Sequence, residues 1–79
     1  MKWIKIVEQN VLPDMKTKAW GVFTNDAIAD CLGMIRWYSK WRKYCFFPSD
    51  DTVFEQECLR DIASFIEEKT KDHKRNLHG

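Results

Sequence analysis

Alternating apolar and polar residues divide the first half of the chain into short segments with the two-residue period of β-strands. Ile4 and Ile6 would share one face of the first strand, and Trp20 and Val22 would share one face of the second. A loop with turn chemistry around Pro13 separates these two segments. The pattern predicts four strands, at residues 1–8, 18–24, 31–38 and 42–47.

After Pro48 the period lengthens to that of an amphipathic helix. Thr52 and Glu55 have the spacing of a capping box, and the two aspartates before them suit the positive end of a helix dipole. Phe54 is placed to staple the helix entry. The helix is predicted to run to about Lys71, with an apolar stripe formed by Cys58, Leu59, Ile62, Ala63, Phe65 and Ile66.

The predicted order of elements is therefore ββββα. A single amphipathic helix needs an apolar surface to cover, and a small antiparallel sheet with one core face supplies it. The 79 residues make one α+β domain at residues 1–71, followed by a polar tail at residues 72–79.

The third strand has apolar residues on both of its faces. If Ile35 faces the helix, Trp37 does too, and Arg36 and Tyr38 face solvent; if Leu32 and the residues of its face point inward, the assignment reverses. Apolar residues on both faces also suit a sheet whose outer side is covered by a second subunit. Homodimerisation is therefore an open alternative.

Composition narrows the function classes. The chain is 44% hydrophobic with a net charge of +1, so it should fold, and the charge total favours no class of partner. Three cysteines without a paired short spacing predict free thiols rather than a disulfide framework or a metal site. No signal peptide, membrane span or glycine-rich phosphate loop is visible, so we expect a cytoplasmic protein without cofactor or metal.

Basic and aromatic residues are concentrated in one predicted hairpin. Between Arg36 and Tyr44, four basic residues alternate with aromatic residues and no acidic residue occurs. Such a mixture can anchor a partner protein, or it can bind single-stranded nucleic acid or a nucleotide. It can also be structural, with arginines stacked on core aromatics. The candidate contact residues are Arg36, Trp37, Tyr38, Lys40, Trp41, Arg42 and Tyr44.

Catalysis has little support in the sequence. A thiol of Cys45 or Cys58 would need His73 or His78 to fold back from the predicted tail. Buried thiols and a solvated tail explain these residues more simply, so we expect a protein that is not an enzyme. The acidic outer side of the helix is most simply a solvated face, although it could also dock on a basic partner.

Two motifs resemble a group of small, uncharacterised proteins encoded by bacteria, phages and mobile elements. The first runs from Leu32 to Pro48 and reads like their "LGxIxWYxxWRxYxFFP" core; the second, from Cys58 to Ile66, reads like their "CLxDIxxFI" helix. The resemblance implies a phage setting in a bacterial host cell, where small proteins often act by binding a host component.

Together these features predict a small binding protein that contacts a host or phage protein through the hairpin. Inhibition of a host defence or regulatory system is one form that such binding takes in a phage setting. The alternative is binding of single-stranded nucleic acid or a nucleotide by the same residues.

Overall fold

The computed structural model describes residues 1–9 and 16–78, with side chains as far as Arg75. Four strands precede one helix, as the sequence predicts. The predicted turn around Pro13, between the first two strands, lies outside the described residues. The elements are β1 (Ile4–Gln9), β2 (Ala19–Thr24), β3 (Cys31–Tyr38), β4 (Lys43–Pro48) and α1 (Gln56–His78).

The strands form one antiparallel sheet in the order β1-β2-β3-β4. Their register aligns Trp20 with Ile35 and Ile35 with Phe46, which puts these three side chains on the same face. α1 lies against this face and closest to β4, where the backbone N–H of Tyr44 donates to Thr70 Oγ1 at 3.1 Å. The helix thereby satisfies one donor at an edge of the sheet.

The core lies between α1 and that face. Trp20 is its largest buried side chain, and its ring contacts those of Tyr44 and Phe65 edge to face, each at 5.1 Å between centroids. The predicted sharing of one face by Ile4 and Ile6, and of another by Trp20 and Val22, is confirmed, and both faces are turned towards the core. Among the described residues, the buried hydrophobic side chains are those of Ile4, Trp20, Val22, Ile35, Tyr44, Cys58 and Ile62.

In β3 the buried face is the one that carries Ile35. Ile35 is fully buried, Trp37 packs against the core beside it, and Arg36 is exposed on the other side. A bulge explains why Leu32 is apolar too. The register between β2 and β3 shifts at this point, which leaves Leu32 without a partner in β2 and lets it pack against the core.

The start of α1 differs from the predicted capping box. Glu55 is itself the capping residue, because its carboxylate accepts the backbone N–H of Cys58 at 2.5 Å. Thr52 instead donates its hydroxyl to the carbonyl of Ser49 at 2.8 Å, and Asp51 lies in a turn with a φ of 57°. Phe54 lies at the predicted staple position just before the cap, and its ring packs on that of Phe46 in the sheet, with 5.2 Å between ring centroids.

The cap formed by Glu55 should make the stability of the domain depend on pH. Hydrogen bonds from the backbone of Cys58 and Glu57 hold the pKa of Glu55 below its ordinary value. A carboxyl group whose pKa is lower in the folded state stabilises the fold above its unfolded pKa, and it loses that contribution as pH falls through the folded pKa. Glu55→Gln should therefore flatten the fall in melting temperature between neutral and acidic pH. Identical slopes for Glu55→Gln and wild type would contradict the assignment.

α1 continues past the predicted end at Lys71 as far as His78. His73 stacks at an angle on Trp37, with 4.3 Å between ring centroids. Two residues of the predicted apolar stripe, Leu59 and Ala63, are exposed instead, since the sheet contacts only the side of the helix that carries Cys58 and Ile62. No helix in the described part of the chain is long and apolar enough to cross a bilayer.

Candidate functional site

The β3–β4 hairpin closes through a four-residue turn, Ser39 to Arg42. The backbone N–H groups of Trp41 and Arg42 both donate to the carbonyl of Tyr38, at 3.2 and 2.9 Å. Arg42 closes the turn with a φ of 54°, a left-handed conformation in which glycine or asparagine is usual. The sequence predicted a turn that ended at Trp41 or before. Position 42 is an arginine rather than a glycine or asparagine, so nothing in the sequence marked it as the last residue of the turn. The turn holds Lys40, Trp41 and Arg42 exposed at the end of the sheet.

The sheet face turned away from α1, here called the outer face, has an apolar centre. The register places Val7, Gly21, Met34 and Phe47 in one row across all four strands. Phe23 lies along the same face, with its ring so close above Gly21 that a Cβ there would be 2.6 Å from it. A row of this kind is a surface on which another molecule can bury apolar area.

Arginine and aromatic side chains continue this row towards the turn. The guanidinium of Arg36 stacks on the ring of Phe47, with 3.9 Å from its carbon to the ring centroid. The ring of Tyr38 contacts Phe47 at 6.0 Å and Trp41 at 5.0 Å, edge to face in both cases. Arg36, Tyr38, Trp41 and Phe47 therefore form one continuous stack of side chains on the outer face.

The charges on the outer face all have one sign. Lys5, Arg36 and Lys43 occupy outer-face positions, and no acidic residue does in any of the four described strands. Lys40 and Arg42 add two more cations in the turn. The overall net charge of +1 conceals this patch, and the positive potential it creates favours an acidic partner.

Two of the predicted contact residues, Trp37 and Tyr44, lie on the opposite face. Tyr44 is only 3% exposed, and its hydroxyl accepts the backbone N–H of Lys18 at 3.1 Å. Trp37 is half-buried between Tyr44 and His73. The hairpin thus divides its predicted residues, since alternation directs these two rings to the core. The other five, Arg36, Tyr38, Lys40, Trp41 and Arg42, remain on the outer face and its turn.

Sequence reasoning missed several outer-face residues, some in the hairpin motif and some in the first two strands. Phe47 could have been found, because it alternates with Cys45 on the strand face opposite Tyr44. Val7 and Phe23 could not, since no local pattern shows how β1 pairs with β2 or how β2 pairs with β3. The outer-face residues absent from the prediction include Lys5, Val7, Phe23, Met34, Lys43 and Phe47.

The cysteine and histidine residues considered for catalysis are not brought together. Cys45 lies on the outer face, whereas His73 stacks on Trp37 on the other side of the sheet. Cys58 is buried, and burial followed by the hydrogen bond to Glu55 raises the pKa of its thiol. The side chain of His78 lies outside the described residues. In residues 1–9 and 16–78, no three cysteine, histidine or acidic side chains cluster as metal ligands would.

Comparison with known proteins places a phage protein among the relatives of this chain. It is similar to a protein of Acholeplasma phage L2 described as an uncharacterized 9.3 kDa protein, with 33% identity over 43 residues. The match covers 54% of this chain and 55% of the relative, so the chain spans about half of that protein's length. No family model and no solved structure matches the chain.

Proposed function

We propose that this chain is a binding protein that docks on an acidic surface of a host or phage protein. The observation that carries the proposal is the composition of the outer face: an apolar row beside stacked arginine and aromatic side chains, with cations only. Tryptophan, tyrosine and arginine dominate the energetic centres of protein interfaces, and complementary charge around them selects the partner.

The centre of the outer face favours a protein over a nucleic acid. Val7 and Met34 are aliphatic, and bases gain most of their binding energy by stacking on aromatic rings. One face of the Phe47 ring is already covered by Arg36. The exposed side of that guanidinium is well placed to pair with a carboxylate in bidentate geometry.

The setting supports a partner in an infected bacterial cell. Similarity to a phage protein is consistent with a small protein that a phage makes during infection. Such a protein, with a cationic, apolar docking face, would act by covering an acidic functional surface of a host regulatory or defence protein. In this proposal it acts by occlusion and performs no chemistry.

A partner other than a second copy of this chain fits the charges best. Two copies meeting through their outer faces would bring Arg36 and Lys43 of each chain against cations of the other. Like charges juxtaposed at an interface oppose association. A sedimentation measurement that finds a wild-type dimer, disrupted by a further cation in the apolar row (Met34→Lys), would replace the acidic partner with self-association.

Single-stranded nucleic acid is the second candidate, and the turn is the feature that favours it. Trp41 is 64% exposed and stands between Lys40 and Arg42, so a base could stack while two cations meet phosphates. Binding of this kind weakens steeply with salt. Titration with a labelled oligonucleotide at low and high salt therefore tests it directly.

Arg42 allows a substitution that removes a contact residue without harming the fold. Glycine tolerates the left-handed conformation of position 42, so Arg42→Gly should leave the stability unchanged or raise it by up to about 1 kcal/mol. Urea unfolding monitored by tryptophan fluorescence measures the change. A loss of stability would mean that the Arg42 side chain holds the hairpin together.

A capture experiment with the double variant Trp41→Ala/Arg42→Gly tests the proposed function. Immobilised wild-type chain should retain a specific protein from bacterial host extract, and the double variant should retain at least tenfold less if these residues form a binding hot spot. Arg60→Ala, which changes an exposed helix residue away from the outer face, is the matched control and should retain as much as wild type.

Support requires that the retained protein be identified and rebind the chain when purified, through an acidic surface. Equal retention by wild type and double variant would reject the proposal. So would the loss of binding in Arg60→Ala together with normal binding in the double variant. An unfolded double variant is excluded beforehand by circular dichroism, and Arg42→Gly alone then serves as the test.

A further inference from the structure

We infer that the chain has a second binding site, for phosphate groups, on the side of the sheet that faces α1. A cleft of about 270 Å³ opens between the C-terminal half of α1 and the strand ends where β1 finishes and β2 and β4 begin. Trp20 and Tyr44 contribute to its floor. This volume lies just below the range of about 300–1,000 Å³ that is typical of sites for drug-sized ligands, so the ligand is small.

Cations from two separate parts of the chain converge on this cleft. Lys16 and Lys18 line it from the segment before β2, and Lys69 and Arg75 line it from α1. The Lys69 ammonium leans over the aromatic floor, 5.3 Å from the ring centroid of Phe65 and 5.9 Å from that of Trp20.

Two acidic residues, Glu8 and Asp72, also line the cleft, and they do not neutralise it. Lys18 pairs with Glu8 at 3.5 Å, and Arg75 approaches Asp72 at 3.8 Å. Among the described residues, no carboxylate lies within ion-pair distance of Lys16 or Lys69. The cleft therefore has a surplus of positive charge beside a half-buried imidazole, that of His73.

The helix dipole does not account for this arrangement. Cations near the end of a helix stabilise its last turn, but Lys69 lies more than two turns before His78, and Lys16 and Lys18 are not on the helix. A phosphate or diphosphate group suits the site, because several ammonium groups around a small cleft match an anion with oxygens on every side. The source of that group is a small phosphorylated molecule or the backbone of a nucleic acid.

NMR titration of the intact, ¹⁵N-labelled chain tests the inference. Pyrophosphate should produce saturable shifts at Lys18, Lys69 and the Trp20 indole, whereas sodium chloride at the same ionic strength should not. Lys69→Gln should weaken pyrophosphate binding about tenfold, as expected for the loss of one charged hydrogen-bond donor. Lys74→Gln, at an exposed position of α1 outside the cleft, is the matched control and should bind like wild type.

Further titrations identify the source of the phosphate. If adenosine diphosphate binds tighter than a short oligothymidylate, both with dependence on Lys69, the ligand is a small phosphorylated molecule; the reverse order indicates a nucleic-acid backbone. Shifts that match those of chloride, or that survive Lys69→Gln and Lys16→Gln together, would overturn the site. Arg42→Gly should leave pyrophosphate binding unchanged, so this result is independent of the proposed function.

Discussion

Replacing Gly33 by alanine should destabilise the domain by about 3 kcal/mol, from backbone strain and overpacking together. Gly33 has a φ of 154°, a conformation that residues with a Cβ rarely adopt. A Cβ at this position would lie 2.5 Å from the carbonyl oxygen of Phe47 and 2.8 Å from the ring of Phe46. Backbone on one side and a core ring on the other leave the new methyl group no space.

The effect is large relative to the whole fold. A domain of this length has a free energy of unfolding of about 4–12 kcal/mol, at roughly 0.05–0.15 kcal/mol per residue. Gly33→Ala should therefore lower the melting temperature by about 12–24 °C. Thermal unfolding followed by circular dichroism, with urea titration for the free energy, measures both quantities.

Gly21 provides the matched control. It lies in the adjacent strand, and a Cβ there would also be too close to its neighbours, 2.6 Å from the ring of Phe23 and 2.8 Å from the Gln9 amide nitrogen. Both neighbours are side-chain ends on the open outer face and can move aside. Gly21 is buried like Gly33, but only side chains would have to shift, so Gly21→Ala should cost about 1 kcal/mol, a common size for a point substitution. Equal losses for the two variants would show that backbone conformation is not what requires Gly33.

The bulge beside Gly33 also marks where sequence reasoning stopped. Alternation predicts the four strands, and β3 begins and ends where predicted. It leaves open which face of β3 is buried, because Leu32 is apolar on one face and Ile35 on the other. The conflict disappears once Leu32 is unpaired, but that depends on how β2 pairs with β3, and local patterns carry no such information.

The predicted end of α1 was wrong for a similar reason. Residues 72–78 read as a polar tail because they lack an apolar stripe. His73 nevertheless packs on Trp37, and this contact depends on where the sheet lies beneath the helix. Helices in proteins are stabilised mainly by tertiary packing rather than by propensity, so a polar segment that meets an aromatic ring can stay helical.

The sequence named hairpin residues of the candidate site, but it did not predict which sheet face each residue would occupy or which other strands contribute to that face. The hairpin motif named five residues that lie on the outer face or its turn, and two, Trp37 and Tyr44, that lie against the core. The apolar row of Val7, Met34 and Phe47 comes from three strands. It exists only because the register of the sheet aligns them.

In the proposed complex, Arg36→Glu should weaken binding of the partner protein by about 100-fold or more, because it puts a carboxylate opposite the acidic surface of that partner. Arg36 is exposed on the outer face beside the apolar row, and its guanidinium is held in place by the Phe47 ring. A side chain ordered before binding loses little entropy when it pairs, so its charge contributes fully. Titration calorimetry with the purified partner measures the affinity.

Arg36→Lys separates charge from shape. Lysine retains the positive charge but has no planar group to stack on Phe47 or to bind a carboxylate with two hydrogen bonds. We expect a loss of about tenfold, intermediate between wild type and Arg36→Glu, which corresponds to about 1.4 kcal/mol. An affinity equal to that of wild type would mean that Arg36 acts only through its charge.

Arg60→Glu is the control for charge reversal, because it makes the same change on an exposed part of α1. Its effect on affinity should stay within about twofold, as for surface substitutions outside an interface. If Arg60→Glu weakens binding as much as Arg36→Glu, the partner responds to the total charge of the chain rather than to the outer face. If neither variant weakens binding, the partner docks elsewhere, and the cations of the outer face have no part in recognition.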